Sequence, residues 1–298
     1  VTQDLERFLR PEELARISRL ELRARRVVEG FVSGLHRSPY FGQSLEFVQH
    51  REYVAGDDLR RIDWKLWSRS DRYYLKQYEE DTNVRIVLVV DGSESMQFTS
   101  GPLSKFDYAR TVAAAVAMLV LKQHDSVGVS VFDSSVRSQI PASSRNNHLQ
   151  TILNGLAVQT AGGKTDIFGV LRRVNESLSR RSIVVLMSDL FCAREELFKG
   201  LQMLRQRGHE VIALHIMDDE ELDFSYSGTL RFEGLEDGAR LTCDPAALRA
   251  GYLKALAKFL DTIRRRCAGS VIDYKLIRTS DNLDAALAQV LMQRLRRK

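Results

Sequence analysis

From residue 84 onward, short apolar runs alternate with longer segments whose apolar positions recur three and four residues apart. Residues 86–90 read Ile-Val-Leu-Val-Val and stop at Asp91-Gly92-Ser93, and residues 183–187 read Ile-Val-Val-Leu-Met and stop at Ser188-Asp189. Continuous runs of this kind, rich in β-branched side chains, predict strands buried on both faces near the centre of a mostly parallel sheet. Further strands are predicted over 127–132, 136–140, 211–216 and 271–277, with a short pair over 229–232 and 240–242. Helices are predicted over 106–122, 147–156, 167–178, 194–207, 245–267 and 283–295, with Gly208 and Gly269 as natural stops. The alternation predicts a doubly wound α/β domain over 84–298, its sheet covered by helices on both faces. Ligands of such sheets bind beyond the carboxyl ends of the strands, so the loops after Val90 and Met187 are the first places to look.

Residues 1–83 follow another pattern. Pro11-Glu12-Glu13 suits a helix start, and Leu14, Ile17, Leu20, Val27 and Val28 recur at roughly helical spacing up to Gly34. Beyond His36 the pattern breaks into aromatic and polar residues, among them Tyr40, Phe41, Phe47 and Tyr53. The apolar content is thin for a separate core. The region is therefore expected to be an N-terminal extension docked on the 84–298 domain, without a sheet of its own.

Composition narrows the class without naming a function. The chain has 298 residues, 44% hydrophobic and 28% charged, as in an ordinary soluble globular protein with a sizeable core. A net charge of +5 is too small to indicate a dedicated nucleic-acid surface. Cys192, Cys243 and Cys267 are far apart and odd in number, which indicates neither a zinc ribbon nor a disulfide framework and fits a reducing compartment. The longest near-continuous apolar run, 112–121, is too short to cross a bilayer.

Three loops carry the chemistry. The first reads Asp91-Gly92-Ser93-Glu94-Ser95, the second Gly162-Gly163-Lys164-Thr165-Asp166, the third Ser188-Asp189. Carboxylates and hydroxyls of this kind suit a hard divalent cation, and magnesium in particular keeps some waters and takes few protein ligands. The D-x-S-x-S spacing needs a sharp turn at a strand end, which Gly92 eases. A plainer reading has Ser93 and Ser95 capping the following turn and Asp189 capping a helix.

The set resembles the metal-ion-dependent adhesion site of the von Willebrand factor type A-like fold. In that family the aspartate and two serines of D-x-S-x-S are joined by a threonine and an aspartate from two later loops. The resemblance implies Asp91, Ser93, Ser95, Thr165 and Asp189 as metal ligands, with Mg2+, Mn2+ or Ca2+ as the ion. Asp166, beside Thr165, is open to a supporting role, to ligation or to capping a helix, and Glu94 is a further candidate for the surroundings of the ion.

A second resemblance lies upstream. Gly56-Asp57-Asp58-Leu59-Arg60-Arg61-Ile62-Asp63-Trp64 is similar to the P-G-D-D-x-R-x-I-D-W pattern of the bacterial domain-of-unknown-function 58 family, with Ala55 in place of the proline. That resemblance implies a partner of MoxR-type AAA+ ATPases acting on a client protein. Asp57, Asp58, Arg60, Arg61, Asp63 and Trp64 then form either a partner surface or a salt-bridged clasp anchored by Trp64 and Trp67.

Rival classes find less. Gly163-Lys164-Thr165 lacks the earlier glycine of a phosphate-binding loop, because that position is Val158. No G-x-S-x-G or H-E-x-x-H occurs, and none of the six histidines adjoins the three loops in sequence. A metal-dependent hydrolase or phosphatase is one alternative. Nucleic-acid binding through Arg264, Arg265, Arg266, Arg294, Arg296, Arg297 and Lys298 is another, although no aromatic platform interleaves with them. The expectation is a bacterial, non-enzymatic adaptor that binds a partner carboxylate through a divalent ion. It takes no small-molecule substrate and no nucleic acid. It is cytoplasmic, or peripheral at the inner membrane through its partners.

Overall fold

The computed structural model describes residues 11–35, 50–52, 74–76, 84–228, 230–233, 240–283 and 287. Its contacts divide the chain into two units, Val1–Val32 with Asn83–Lys298, and Ser33–Thr82. The larger unit is built on a six-stranded sheet. In chain order its strands are β3 (Arg85–Asp91), β4 (Ser126–Phe132), β5 (Val136–Ser143), β6 (Ile183–Ser188), β7 (Glu210–Met217) and β10 (Asp273–Arg278). In space the order is β10-β7-β6-β3-β4-β5. Every neighbouring pair is parallel except β4 and β5, which form an antiparallel hairpin at one edge.

The two apolar runs sit where their composition demands. β3 and β6 are central neighbours, and β6 is buried along its whole length. Helix α2 (Lys105–Lys122) follows β3 and is buried at every position from Thr111 to Val120, so it lies deep on one face. The other face is covered by α4 (Ile167–Ser177), α5 (Arg194–Gln206) and α7 (Pro245–Gly269). Ile167, Leu171, Phe198, Leu201 and Ile263 from these helices share a core cluster with Val87, Val89, Val184, Leu186 and Val211 from the strands. Helix α3 (His148–Ala157) lies between β5 and α4 in the chain. The doubly wound architecture is as expected.

From β3 the chain winds outward to β4 and β5, then returns to the opposite side of β3 to form β6. The loops leaving β3 and β6 therefore diverge at adjacent strand ends. Such a switch point opens a crevice between them.

The N-terminal helix α1 (Pro11–Leu35) buries Ile17, Leu20, Ala24 and Val28 within the larger unit. The expectation of no sheet before residue 84 fails. β1 (His50–Glu52) pairs antiparallel with β2 (Tyr74–Lys76). Each is only three residues long, too short for a periodicity to show. A short acidic helix, α6 (Asp219–Asp223), was not anticipated either. β8 (Leu230–Glu233) and β9 (Arg240–Cys243) form the expected excursion. The last strand starts two residues later than predicted, because Val271 has φ 54° in a left-handed turn and is 71% exposed. Apart from Leu283 and Leu287, the predicted 283–295 helix lies outside the described residues, as do Arg294, Arg296, Arg297 and Lys298.

Candidate functional site

Asp91 is the last residue of β3 and is almost completely buried. Its Oδ1 accepts the Ser93 N–H at 2.9 Å, and its Oδ2 accepts the Ser188 hydroxyl at 2.6 Å. Ser93 occupies the N-cap position of a short 3-10 helix, Glu94–Gln97, but its side chain makes no capping hydrogen bond. Its hydroxyl instead lies 3.2 Å from that of Ser95. Capping therefore does not account for Ser93. Two oxygen ligands on adjacent corners of a magnesium octahedron stand about 3.0 Å apart. The two hydroxyls share a hydrogen bond at a separation close to this spacing.

The loop bearing Thr165 is tied to the Asp91 loop through the backbone. Gly162 N donates to Gly92 O at 2.8 Å, and Glu94 N donates to Gly163 O at 2.9 Å. Gly163 adopts φ +85°, and a Cβ there would stand 2.9 Å from Asp133 Oδ2. Arg137 secures the same loop, donating to the carbonyls of Thr160 and Gly162 at 2.6 Å each while paired with Asp133. Thr165 is half-buried at the end of this loop. Asp166 resolves to the capping alternative, since its Oδ1 accepts the Gly169 N–H at 3.0 Å at the start of α4.

Asp189 follows β6 and is 1% exposed. Its Oδ1 accepts the Phe191 N–H at 3.1 Å. The N-cap of α5 is Ala193, so Asp189 does not cap that helix. Its Oδ2 accepts Lys105 Nζ at 2.8 Å. Lys105 was missed by sequence reasoning, which began the helix one residue later. A signal was present, because a lysine in the first turn opposes the helix dipole and calls for a nearby carboxylate. Its second partner is Glu221 of α6, at 2.7 Å. Glu221 also closes a capping box with Asp218, a D-x-x-E pattern readable in the sequence.

The electrostatics favour added positive charge. Asp189 and Glu221 share a single ammonium, Lys105, and Asp91 feels the charge of Asp189 with no cation of its own among its hydrogen-bond partners Ser93 and Ser188. Burial, and next the charge of Asp189, push the Asp91 carboxyl up to about 7, against the hydrogen bonds from Ser188 and Ser93. Burial opposes the charge on Lys105, yet Asp189 and then Glu221 hold its pKa above the ordinary lysine value. His215, paired in register with Ser188, is buried, and that burial lowers its pKa to about 4. Its Nδ1 lies 2.9 Å from the Tyr274 hydroxyl.

Among the described residues no three His, Cys, Asp or Glu side chains form a metal cluster. A cation here would rest on two carboxylates supplemented by hydroxyls and water, a donor set that fits magnesium better than zinc. Asp57, Asp58, Arg60, Arg61, Asp63 and Trp64 lie outside the described residues. No described helix is long and apolar enough to cross a membrane.

Comparison with known proteins bears on the family. An uncharacterized protein from Mycobacterium bovis is 26% identical over 96% of this chain and 91% of its own length. A counterpart from Mycobacterium tuberculosis has the same identity and coverage. Among solved structures, the conserved hypothetical protein BatB from Bacteroides thetaiotaomicron covers 70% of this chain and 98% of its own at 16% identity, with a TM-score of 0.47. The SpRpn10 VWA domain covers 69% of this chain and 93% of its own at 11% identity, with a TM-score of 0.42. Residues 49–259 match the family described as "Protein of unknown function DUF58", and the chain belongs to that family.

Proposed function

We propose that this protein is a non-enzymatic interaction adaptor whose β3 and β6 loops hold a divalent cation, Mg2+ first, that binds a carboxylate of a partner protein. Asp91, Ser93, Ser95, Thr165 and Asp189 are the residues that would hold it. The carrying observation is the Ser93–Ser95 hydroxyl pair, 3.2 Å apart beside two buried carboxylates and released from capping. The ion would supply positive charge for a partner carboxylate, and the link gains strength when docking excludes water. Beside Asp189, Phe191, Arg194, Lys258 and Phe259 line an open cleft of about 620 Å3. Two cations and two aromatic rings there suit an acidic partner segment with an apolar neighbour.

The family resemblance makes a MoxR-type AAA+ ATPase the first partner to test, with protein assembly or activation as the shared task. Binding of a candidate ATPase by wild-type protein and by Asp91→Ala, in magnesium and in chelator, is the test. Wild-type protein in magnesium should bind at least about tenfold more tightly than the other three combinations, a difference of about 1.4 kcal/mol. Equal binding in all four would remove the metal bridge from the account. Turnover of a phosphate ester or peptide that disappears in Asp91→Ala would favour the enzyme alternative.

A further inference from the structure

Lys105 stands at the first position of α2 and is 0% exposed. Its ammonium joins the segments that follow two neighbouring strands, through Asp189 in the loop after β6 and Glu221 of α6 after β7. The rings of Phe191 and Phe98 flank it, with centroids 5.1 and 5.9 Å from Nζ. Asp189 has one oxygen on the Phe191 N–H and the other on this ammonium. The carboxylate that the β6 loop would offer to a metal is thus already engaged by a cation belonging to the protein.

We propose that Lys105 is a built-in counter-cation that competes with the divalent ion for Asp189, and that Glu221 is the acceptor that keeps Lys105 in place when Asp189 turns to the ion. This rests on the reading that the site binds such an ion. The arrangement makes Lys105 a positioning residue. In the metal-free protein it orients Asp189 and offsets part of the negative charge. In the loaded protein it repels the ion and reclaims Asp189 when the ion leaves. The site is thereby tuned toward exchange of the ion, because two like charges close together in a buried setting oppose each other strongly. Without Glu221, release of Asp189 would strand a buried ammonium, which is costly.

Calorimetric titration of metal-stripped full-length protein with Mn2+ tests this in wild type, Lys105→Met, Glu221→Gln and Asp219→Asn. Lys105→Met should bind at least about tenfold more tightly than wild type, and Glu221→Gln about threefold more weakly or worse. Asp219→Asn makes the same charge change on α6, but Asp219 faces Arg278, so its affinity should stay within about twofold of wild type. Equal affinity in all four proteins, or equal weakening by Glu221→Gln and Asp219→Asn, would overturn the inference and leave the metal reading standing. Heat from Lys105→Met with none from wild type would support the competition and remove the metal reading for the native protein. Silence in all four would overturn both. If Lys105→Met does not fold, the Glu221→Gln and Asp219→Asn pair decides alone.

Discussion

Asp91 carries a charge that the metal-free fold opposes. Its carboxyl is pushed from 3.8 to about 7 by burial and by Asp189. The folded state therefore holds a proton that the unfolded chain gives up between about pH 4 and pH 7, and stability from this group falls as pH rises through that window. Asp91→Asn should remove the slope. In chelator at pH 8 the variant should be more stable than wild type. Saturating magnesium should narrow the gap by stabilising wild type alone. Urea unfolding across the pH range measures this, and a variant less stable than wild type at pH 8 in chelator would contradict it. Asp91, Ser93 and Asp189 were legible from their place after apolar runs. For Lys105 the first-turn position hinted at a carboxylate partner but not at which one, because its partners lie 84 and 116 residues away along the chain. No spacing rule links positions that only the folded sheet brings together.

At the level of elements, the site depends on how one loop is carried. The segment ending in Thr165 has no regular structure of its own and is held by the two backbone bonds to the Asp91 loop and by Arg137. Gly163→Ala should strain it, since φ +85° disfavours a side chain and the added methyl would meet Asp133. A stability loss of about 1–2 kcal/mol is expected. Mn2+ affinity should fall as Thr165 is displaced. Thermal unfolding and calorimetry together check this, and unchanged metal affinity would show that the Thr165 loop contributes no ligand. The long elements were readable because burial on both faces of β3 and β6 leaves unbroken apolar runs. β1, β2 and α6 were not, because elements of three to five residues are too short to make a periodic signal. Val271 misled because a β-branched residue at φ 54° looks like strand in a sequence window.

On the scale of the molecule, strand order decides where chemistry can occur. β3 lies between β4 and β6, so its carboxyl end is the switch point, and residues 91–95, 162–166 and 188–189 converge there from distant parts of the chain. Doubly wound topology follows from the alternation of elements. The side of β3 on which each strand falls does not, and that choice places Ser188 against Asp91. The central claim is that this convergence holds a divalent ion. Crystals of the full chain grown with Mn2+ test it most directly, through the anomalous scattering of the ion. The account predicts one peak at the β3 and β6 strand ends, about 2.1 Å from the hydroxyl oxygens of Ser93 and Ser95, that is lost in Asp91→Ala crystals. A well-ordered site with no peak at saturating Mn2+, or a peak that persists without Asp91, would contradict it.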